Sequence, residues 1–318
     1  MYSRKMDIIF GIDNGYIQHT AACINSLLSN NPLQKFHIYI LALNISAPNK
    51  EILQKWIVKK EQEISFIDVN INSIKDFPIQ QHDYISPASY LRLFIPQLLP
   101  SNISKALYID GDIIFRKSIS ELFNIDISHY ALAAVEDAPN NNPSRLGYDT
   151  KYSYFNAGFQ LLNVEYLRQI DFTAKALGYI KENRNKIILH DQDVMNALLY
   201  GKVLFLPIKW NMLDCYFTKP LKIADKYKKE IKKHQEEAVT IHFSGPIKPW
   251  HYGCQHPLKK LYKKHRTAVP VRSNINKWDG INKFPFRIRW MILLQLPWNF
   301  IYFANDILFR IEKRLHII

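Results

Sequence analysis

Cysteine is scarce in this chain, with three in 318 residues. Cys23, Cys215 and Cys254 lie far apart, and none belongs to a zinc-binding or redox spacing. This pattern excludes a disulfide framework and a cysteine-rich zinc site, and it fits a reducing compartment. No secretory signal is visible either, so we expect the protein in the cytoplasm.

Glycine-rich phosphate loops are also missing. The chain has no Gly-Lys-Ser/Thr sequence of the kind that ends a phosphate-binding P-loop. After the first predicted strand, residues 11–16 are Gly-Ile-Asp-Asn-Gly-Tyr, with an acid where a dinucleotide-binding loop has glycine. The sequence therefore argues against NAD or FAD binding and against P-loop nucleotide chemistry.

Uninterrupted apolar runs long enough to span a membrane are absent. The most apolar stretch, Trp290 to Phe309, is broken by Pro297 and several polar residues. Residues 257–318 also carry thirteen Lys or Arg against three Asp or Glu, which is most of the net charge of +14. This composition predicts an amphipathic helical region on an anionic membrane surface. Nucleic-acid binding, a helix docked on the core and a simple solvated basic face are the alternatives.

The N-terminal half alternates between strand and helix patterns. Predicted strands cover Met6–Phe10, Phe36–Leu43, Glu63–Val69 and Ala106–Ile109, with helices over Tyr16–Leu28 and from Pro48 to near Lys60. Such alternation predicts βαβ units and an α/β fold with a mostly parallel sheet. Because ligands bind beyond the carboxyl ends of such strands, we expect Asp13 and Asp110 to share one rim.

The segment Asp110-Gly111-Asp112 is the strongest candidate for metal binding. It follows a buried strand, and Gly111 adds no bulk between the two carboxylates and tolerates unusual backbone angles. Two hard oxygen ligands at a strand end suit Mg²⁺ or Mn²⁺ held together with a substrate phosphate. Asp-Gly-Asp is also common turn chemistry, so the segment alone leaves both interpretations open.

Polar residues also lie in apolar surroundings on either side of this pair. Arg92 falls in a predicted helix from Ser86 to Leu99 that Pro96 should break. A buried Arg needs a carboxylate or phosphate, which is either a structural ion pair or a ligand contact. Asn156 is followed by two small residues that would permit close approach of a ligand.

Further candidate site residues lie at the start of a predicted helix and at the end of a predicted strand. Asp191 and Gln192 precede an apolar helical run, where Asp191 fits a helix N-cap as well as a site wall. His242 ends another predicted strand and is followed by Gly245 and Lys248. A glycine turn and a nearby lysine suit a diphosphate, although a lone histidine in a strand is usually structural.

Six motifs occur in one order along residues 6–255. They are Gly11-x-Asp13, Tyr90-Leu91-Arg92-Leu93, Asp110-Gly111-Asp112, Tyr154 to Gly158, Asp191-Gln192-Asp193 and His242 to Trp250. This order resembles the retaining glycosyltransferases of family 8, especially the bacterial lipopolysaccharide and lipooligosaccharide galactosyl- and glucosyltransferases. The resemblance implies a Rossmann-like, glycosyltransferase A-type fold with a mixed, mostly parallel sheet, and transfer of a hexose from a UDP-sugar.

The resemblance also implies the ligand sets. Mn²⁺, with Mg²⁺ as the alternative, would bind Asp110, Asp112 and His242. The implied nucleotide-sugar contacts are Gly11, Asp13, Tyr16, Arg92, Asp110, Gly111, Asp137, Asn156, Asp191, Gln192, Gly245 and Lys248. Galactose is the favoured sugar and glucose the alternative, with a lipopolysaccharide, a lipooligosaccharide or another glycan as acceptor.

Gln192 is the residue that the resemblance places near the anomeric carbon of the transferred sugar. Because an amide is a poor nucleophile, we favour same-face attack, with Gln192 and Asp191 as catalytic residues that position and stabilise an oxocarbenium-like sugar. Double displacement through a carboxylate nucleophile, Asp191 or Asp193, is the rival mechanism.

These predictions divide the chain into a catalytic UDP-sugar domain, residues 1–255, and a basic aromatic helical region, residues 256–318. The second region is expected to hold the protein on the inner face of the cytoplasmic membrane as a peripheral protein. Two other functions stay open at this point. The first is a nucleic-acid-binding protein that uses the basic C-terminal region; we disfavour it because no nucleic-acid-binding motif is present. The second is a protein that binds a UDP-sugar without catalysing its transfer.

Overall fold

The computed structural model describes residues 5–74, 76–79, 85–138, 143–218, 225–251, 253–273 and 286–294, together with 296, 300, 301, 303, 304 and 307. The strands of these residues form two sheets. They are β1 (Met6–Asp13), β2 (Phe36–Leu43), β3 (Glu63–Asp68), β4 (Lys105–Ile109), β5 (Ile113–Phe115), β6 (Leu132–Glu136), β7 (Phe155–Asn163), β8 (Val203–Leu206), β9 (Met212–Leu213) and β10 (Thr240–His242).

The larger sheet has seven strands in the order β3-β2-β1-β4-β7-β6-β8. Its strands pair in parallel except for β7, which runs antiparallel to both β4 and β6. The predicted α/β fold with a mixed, mostly parallel sheet is therefore confirmed. Because β7 is reversed, its first residues lie at the same rim as the carboxyl ends of β1 and β4.

The smaller sheet has three strands in the order β5-β10-β9. Strand β10 runs antiparallel to β5, so that His242 pairs with Ile113. It runs parallel to β9, and His242 also pairs with Leu213. The end of β10 is thereby held next to the residues that precede β5.

The described helices pack around these sheets. The α-helices are α1 (Ile17–Asn30), α2 (Ala47–Lys59), α3 (Ile95–Leu98), α4 (Ser120–Phe123), α5 (Val164–Gln169), α6 (Phe172–Glu182), α7 (His190–Leu199), α8 (Cys215–Thr218), α9 (Asp225–Glu237), α10 (Lys259–Thr267) and α11 (Phe286–Leu293). Short 3₁₀ helices cover Ile71–Ser73, Pro87–Phe94, Pro143–Leu146, Arg184–Lys186 and Ile208–Trp210.

Apolar side chains cover both faces of the larger sheet. Ile8 and Phe10 belong to one core cluster, whereas Ile9 between them belongs to the other. This split follows from the strand geometry, in which successive side chains point to opposite faces. Burial on both faces explains why the strand sequences are continuous apolar runs instead of alternating ones.

Two local predictions were wrong in detail. Strand β1 continues through Gly11 to Asp13, because β2 pairs with it along its whole length. The predicted helix at residues 86–99 is a 3₁₀ helix from Pro87 to Phe94 that leads into α3. Pro96 does not break a helix there. It lies in the first turn of α3, where a missing amide hydrogen costs nothing.

The first part of the basic C-terminal region packs on the body of the protein. Tyr262 of α10 and, after it, Val269 and Val271 are buried in the same core cluster as α1. The Ser273 hydroxyl donates to the carbonyl of Gly15, close to the start of α1. Where the catalytic unit ends stays a prediction. In the described residues, no helix is both long and apolar enough to cross a membrane.

Buried neutral histidines should make folding stability fall in mild acid. Burial lowers the pKa of His251 and of His256 to about 4, and burial also lowers the pKa of His19 well below its usual value. The unfolded chain binds these protons below about pH 6.5 and the folded chain does not, so stability is lost as the pH falls from 6.5 to about 4. For His256 the difference amounts to about 3 kcal/mol at most.

Chemical denaturation between pH 8 and pH 4 measures this effect. The His256→Gln variant should show a shallower loss of stability than the wild type, because it lacks one of the titrating groups. His129 is exposed, so His129→Gln serves as the matched control and should keep the wild-type slope. Equal slopes for His256→Gln and the wild type would contradict the prediction.

Candidate active site

Three potential metal ligands meet where the two sheets adjoin. Asp110 follows the end of β4, Asp112 precedes β5, and His242 ends β10, which pairs antiparallel with β5. The His242 Nε2 atom lies 3.3 Å from Asp112 Oδ1 and 3.8 Å from Asp110 Oδ2. One ligand atom from each of the three residues lies within 4.8 Å of the other two. A single divalent cation can be reached by all three.

The bonding of Asp112 fits a cation at this position. Its Oδ2 atom accepts from Lys248 Nζ at 2.6 Å. Its Oδ1 atom is buried and accepts no hydrogen bond in the described part of the chain. A buried carboxylate oxygen without a donor is costly, and a metal ion is one of the few partners that satisfies it. The residues present therefore suit a divalent cation.

Lys248 keeps Asp112 ionised. Burial alone would raise the pKa of the Asp112 carboxyl, but the Lys248 ammonium group holds that pKa well below its usual range. Lys248 is itself buried, and its ammonium group also donates to the carbonyl of Phe243 at 2.7 Å. The site thus combines three possible metal ligands with the fixed positive charge of Lys248 beside them.

Gly158 leaves the space in which the ligands meet. A Cβ atom built on Gly158 would lie 2.3 Å from Cε1 of His242 and 2.6 Å from Oδ2 of Asp110. Gly111 is required for a similar reason, because its Cβ would lie 2.4 Å from the Thr20 hydroxyl. Neither glycine has a positive φ angle. Of the two predicted reasons for Gly111, lack of bulk therefore applies, and unusual backbone angles do not.

Arg92 forms ion pairs with two carboxylates at the rim. Its guanidinium lies 2.9 Å from Asp110 Oδ1 and 2.8 Å from Asp191 Oδ2, and it also donates to the carbonyl of Ala157. Burial alone would lower the pKa of Arg92, but Asp110 and Asp191 raise it, so Arg92 stays charged. The predicted structural ion pair is therefore present, and Arg92 also lines the cavity described below.

Gln192 is held rigidly in the cavity wall. Its Oε1 atom accepts from the amide of Ala157 at 2.9 Å and from Asn156 Nδ2 at 3.3 Å, while Nε2 donates to Asp137 Oδ2 at 3.0 Å. Asn156 donates to the same Asp137 oxygen. Such a network fixes the side chain before any ligand arrives.

Asp191 and Asp193 lie in different environments, although both belong to the first turn of α7. Asp191 is in the first turn and not at the N-cap, because α7 begins at His190. Asp193 is fully buried and accepts five hydrogen bonds, from Arg145 (two), Tyr154, and the amides of residues 188 and 189. It does not line the cavity described below, and its oxygens are occupied, so Asp193 is not a candidate nucleophile.

A cavity of about 360 Å³ brings the predicted residues together. Its walls include every site residue that the sequence predicted: Gly11, Asp13, Tyr16, Arg92, Asp110, Gly111, Asp112, Asp137, Asn156, Asp191, Gln192, His242, Gly245 and Lys248. At the end of the cavity predicted to bind the nucleotide, Asp13 accepts from the Ser86 hydroxyl and, at 3.0 Å, from the Tyr16 amide. Their individual roles stay predictions.

The amino-acid sequence that forms this cavity belongs to a known protein family. Residues 7–254 match the profile of glycosyl transferase family 8. The chain belongs to that family. This match covers all six motifs, and it confirms the resemblance seen in the sequence.

Two relatives of known name support the same assignment for this family 8 glycosyltransferase. A putative glycosyltransferase of Haemophilus influenzae is 34% identical over 295 residues, which is 90% of this chain and 86% of the relative. A lipopolysaccharide 1,2-glucosyltransferase of Escherichia coli is 29% identical over 302 residues, which is 92% of this chain and 86% of the relative.

The fold is shared with a galactosyltransferase of solved structure. The galactosyltransferase LgtC, in complex with donor and acceptor sugar analogues, superposes with a TM-score of 0.73 at 22% identity. The superposition covers 86% of this chain and 99% of LgtC. The glycosyltransferase A-type fold is therefore shared along nearly the whole of that protein.

Two residues at this site were missed by the sequence analysis. Asn211 is fully buried and bonds to both Asn156 and His242. Asp214 lines the cavity and accepts from the Ser244 hydroxyl at 2.8 Å. The sequence carries little signal for Asn211: residues 208–213 are Ile-Lys-Trp-Asn-Met-Leu, in which apolar and polar residues alternate up to Met212, so Asn211 falls with Lys209 on the side expected to face solvent.

Proposed function

We propose that this protein transfers a hexose from a UDP-sugar, with retention at the anomeric carbon, to a glycan acceptor on a lipopolysaccharide or related glycolipid. Mn²⁺ is the proposed cofactor, with Mg²⁺ as the alternative. The observation that carries the proposal is the convergence of Asp110, Asp112 and His242 around an unsatisfied carboxylate oxygen, with Lys248 beside them. Family membership favours this function over nucleic-acid binding.

A UDP leaving group gathers negative charge as the glycosidic bond breaks. A divalent cation bound by Asp110, Asp112 and His242 would neutralise part of that charge. Lys248 supplies a second positive charge that is already desolvated and fixed in place by Asp112. Preorganised charge of this kind stabilises the transition state more than the ground state.

Same-face attack is the mechanism we propose. Gln192 would lie beside the anomeric carbon, with its amide held by Ala157 and Asp137. A carboxylate nucleophile is less suited to this site, because Asp191 is paired with Arg92 and Asp193 is saturated with donors. The leaving phosphate would then take the proton of the acceptor hydroxyl on the same face of the sugar. Trapping a sugar on Asp191 would overturn this mechanism.

The donor assay tests the function directly. Purified protein with Mn²⁺ is incubated with a panel of UDP-sugars that includes UDP-galactose, our first choice, and UDP-glucose, since relatives named as galactosyl- and glucosyltransferases both occur. We expect slow donor hydrolysis for one hexose, with the α-anomer released and detected by NMR. Binding without hydrolysis or transfer would indicate a silent binder, and no binding of any UDP-sugar would refute the proposal.

The C-terminal region is proposed to attach the enzyme to the inner face of the cytoplasmic membrane. In and after α11, Leu294 and Phe303 are 67% and 64% exposed. Ile288 and Ile301 on the other side are buried, and Ile247, next to Lys248, packs against them. Deleting residues 284–318 would therefore disturb the active site. Residues 308–318, which include three of the basic residues, lie outside the described part of the chain.

Point substitutions test membrane attachment more cleanly than a deletion. The double variant Leu294→Ser, Phe303→Ser should bind vesicles rich in anionic lipid on the order of 100-fold more weakly, because each lost apolar side chain is worth about 1.5 kcal/mol or more. Leu33 is 91% exposed in the loop between α1 and β2, so Leu33→Ser is the matched control and should bind like the wild type. Unchanged vesicle binding by the double variant would contradict this role.

A further inference from the structure

Asn211 links the two halves of the active site. It lies directly before β9, and its side chain is completely buried. Its Nδ2 atom lies 2.9 Å from Asn156 Oδ1, and its Oδ1 atom lies 3.0 Å from His242 Nδ1. Asn156 belongs to the network around Gln192, whereas His242 belongs to the predicted metal ligands.

The orientation of each amide in this chain follows from groups that can play only one role. The backbone amide of Gly158 can only donate, and it lies 3.0 Å from Asn156 Oδ1. A carboxylate accepts, and Asp137 Oδ2 lies 3.1 Å from Asn156 Nδ2. The side-chain oxygen of Asn156 therefore faces Asn211, and its nitrogen faces Asp137. Asn211 must donate to that oxygen through Nδ2, which leaves its own oxygen facing His242.

The tautomer of His242 follows from the same reasoning. An amide oxygen can only accept, so the Nδ1 atom of His242 must carry the proton. In the neutral imidazole, Nε2 then has the lone pair, and Nε2 is the atom that faces Asp110 and Asp112. The opposite tautomer would point an N–H group at Asp112 Oδ1 and would leave the buried oxygen of Asn211 without a donor.

We propose that Asn211 is a positioning residue that holds His242 with its proton on Nδ1 and thereby presents the Nε2 lone pair to the cation. The proposal rests on the metal site of the proposed function. It also explains the buried Asp112 Oδ1: acceptor atoms of Asp112 and His242 face each other 3.3 Å apart, and a bound cation satisfies both. Partners of this kind, which orient a ligating histidine, commonly change metal affinity by about 10- to 100-fold.

The chain of hydrogen bonds also connects the cation to the sugar side of the cavity. From His242 it runs through Asn211 and Asn156 to Asp137 and Gln192. A shift of Asn156 on sugar binding would be transmitted to His242 through the side-chain amide of Asn211. Loss of Asn211 should therefore weaken metal binding in the absence of any nucleotide and loosen Gln192 as well.

Two measurements on the full chain test the proposal. The first is ¹⁵N NMR of labelled histidine in metal-free wild-type protein, with His242 assigned by its loss in His242→Gln. We expect the proton on Nδ1. The second is Mn²⁺ affinity without nucleotide, by calorimetry or electron paramagnetic resonance, for the wild type and for Asn211→Leu, a variant of similar volume. We expect about 10- to 100-fold weaker binding by the variant.

A matched control separates this role from general stability. Asn163 is a partly buried asparagine at the far end of β7 that bonds to the backbone of residues 127, 130 and 166. Asn163→Leu should lose stability and keep wild-type Mn²⁺ affinity. A proton on Nε2 of His242 in the wild type, or wild-type affinity in Asn211→Leu, would overturn the proposal. If the wild type has the expected tautomer and binds no Mn²⁺, the metal site of the proposed function fails instead.

Discussion

Replacing Asp112 by Asn should lower turnover of the donor sugar by about 100- to 1000-fold, or roughly 3–4 kcal/mol of transition-state stabilisation. The change keeps the shape of the side chain and removes the charge that Lys248 and His242 face. Mn²⁺ affinity should fall together with turnover, because the buried Oδ1 atom loses its negative charge. Kinetics with saturating UDP-sugar and a Mn²⁺ titration measure the two effects.

Stability must be measured alongside, since the substitution also leaves buried Lys248 without its carboxylate. Breaking such a buried pair costs about 3–5 kcal/mol, so activity should be compared at a temperature at which circular dichroism shows a folded variant. Asp126→Asn is a suitable control because Asp126 is an exposed turn residue. If Asp112→Asn keeps both turnover and Mn²⁺ affinity, the three residues do not form the metal site.

Adding one methyl group at Gly158 should be almost as damaging, although it removes no polar atom. In Gly158→Ala, the new carbon would lie 2.3 Å from the His242 ring and 2.6 Å from Asp110 Oδ2, so these ligands must separate. We expect at least a 100-fold loss of turnover, since the loss of one electrostatic group costs about that much elsewhere. The Mn²⁺ affinity of the variant should fall as well.

The chain offers a matched glycine for comparison. Gly178 lies inside α6, and a Cβ built there meets no atom within 4 Å. Gly178→Ala should keep full activity and gain about 0.5–1 kcal/mol of stability, because alanine restricts the unfolded chain more than glycine does. Full activity in Gly158→Ala would show that the ligands are not confined as the structure indicates.

Strand ends were the part of the site that the sequence could predict. Asp13 and Asp110 each lie at the end of an apolar run, and the parallel strands β1 and β4 bring these ends to one rim. His242 also ends an apolar run, but its strand belongs to the smaller sheet. The predicted partner of Arg92 was a carboxylate or a phosphate, and the structure shows carboxylates. That two carboxylates share this arginine was not predictable, because Asp191 lies about a hundred residues further along the chain.

Asp193 shows where local sequence misleads. It is next to Gln192 and was a rival nucleophile, yet it is fully buried and bonded to Arg145 and Tyr154. Neighbouring residues at a helix start point in directions about 100° apart, so one lines the cavity and the next anchors a loop. The sequence contains both acids without indicating which of them faces the cavity.

The sequence by itself determined the fold class, the family and the residue types of the site. Periodic apolar runs decide strand and helix, and the six motifs occur in the family's order whatever the tertiary contacts are. Only the tertiary structure decided how the site is held. The reversal of β7 and the antiparallel pairing of β10 with β5 bring Asn156, Asn211 and His242 together across separations of 55 and 31 residues. Non-local pairing of this kind leaves no local pattern, so Asn211 could be recognised only once its two partners were in place.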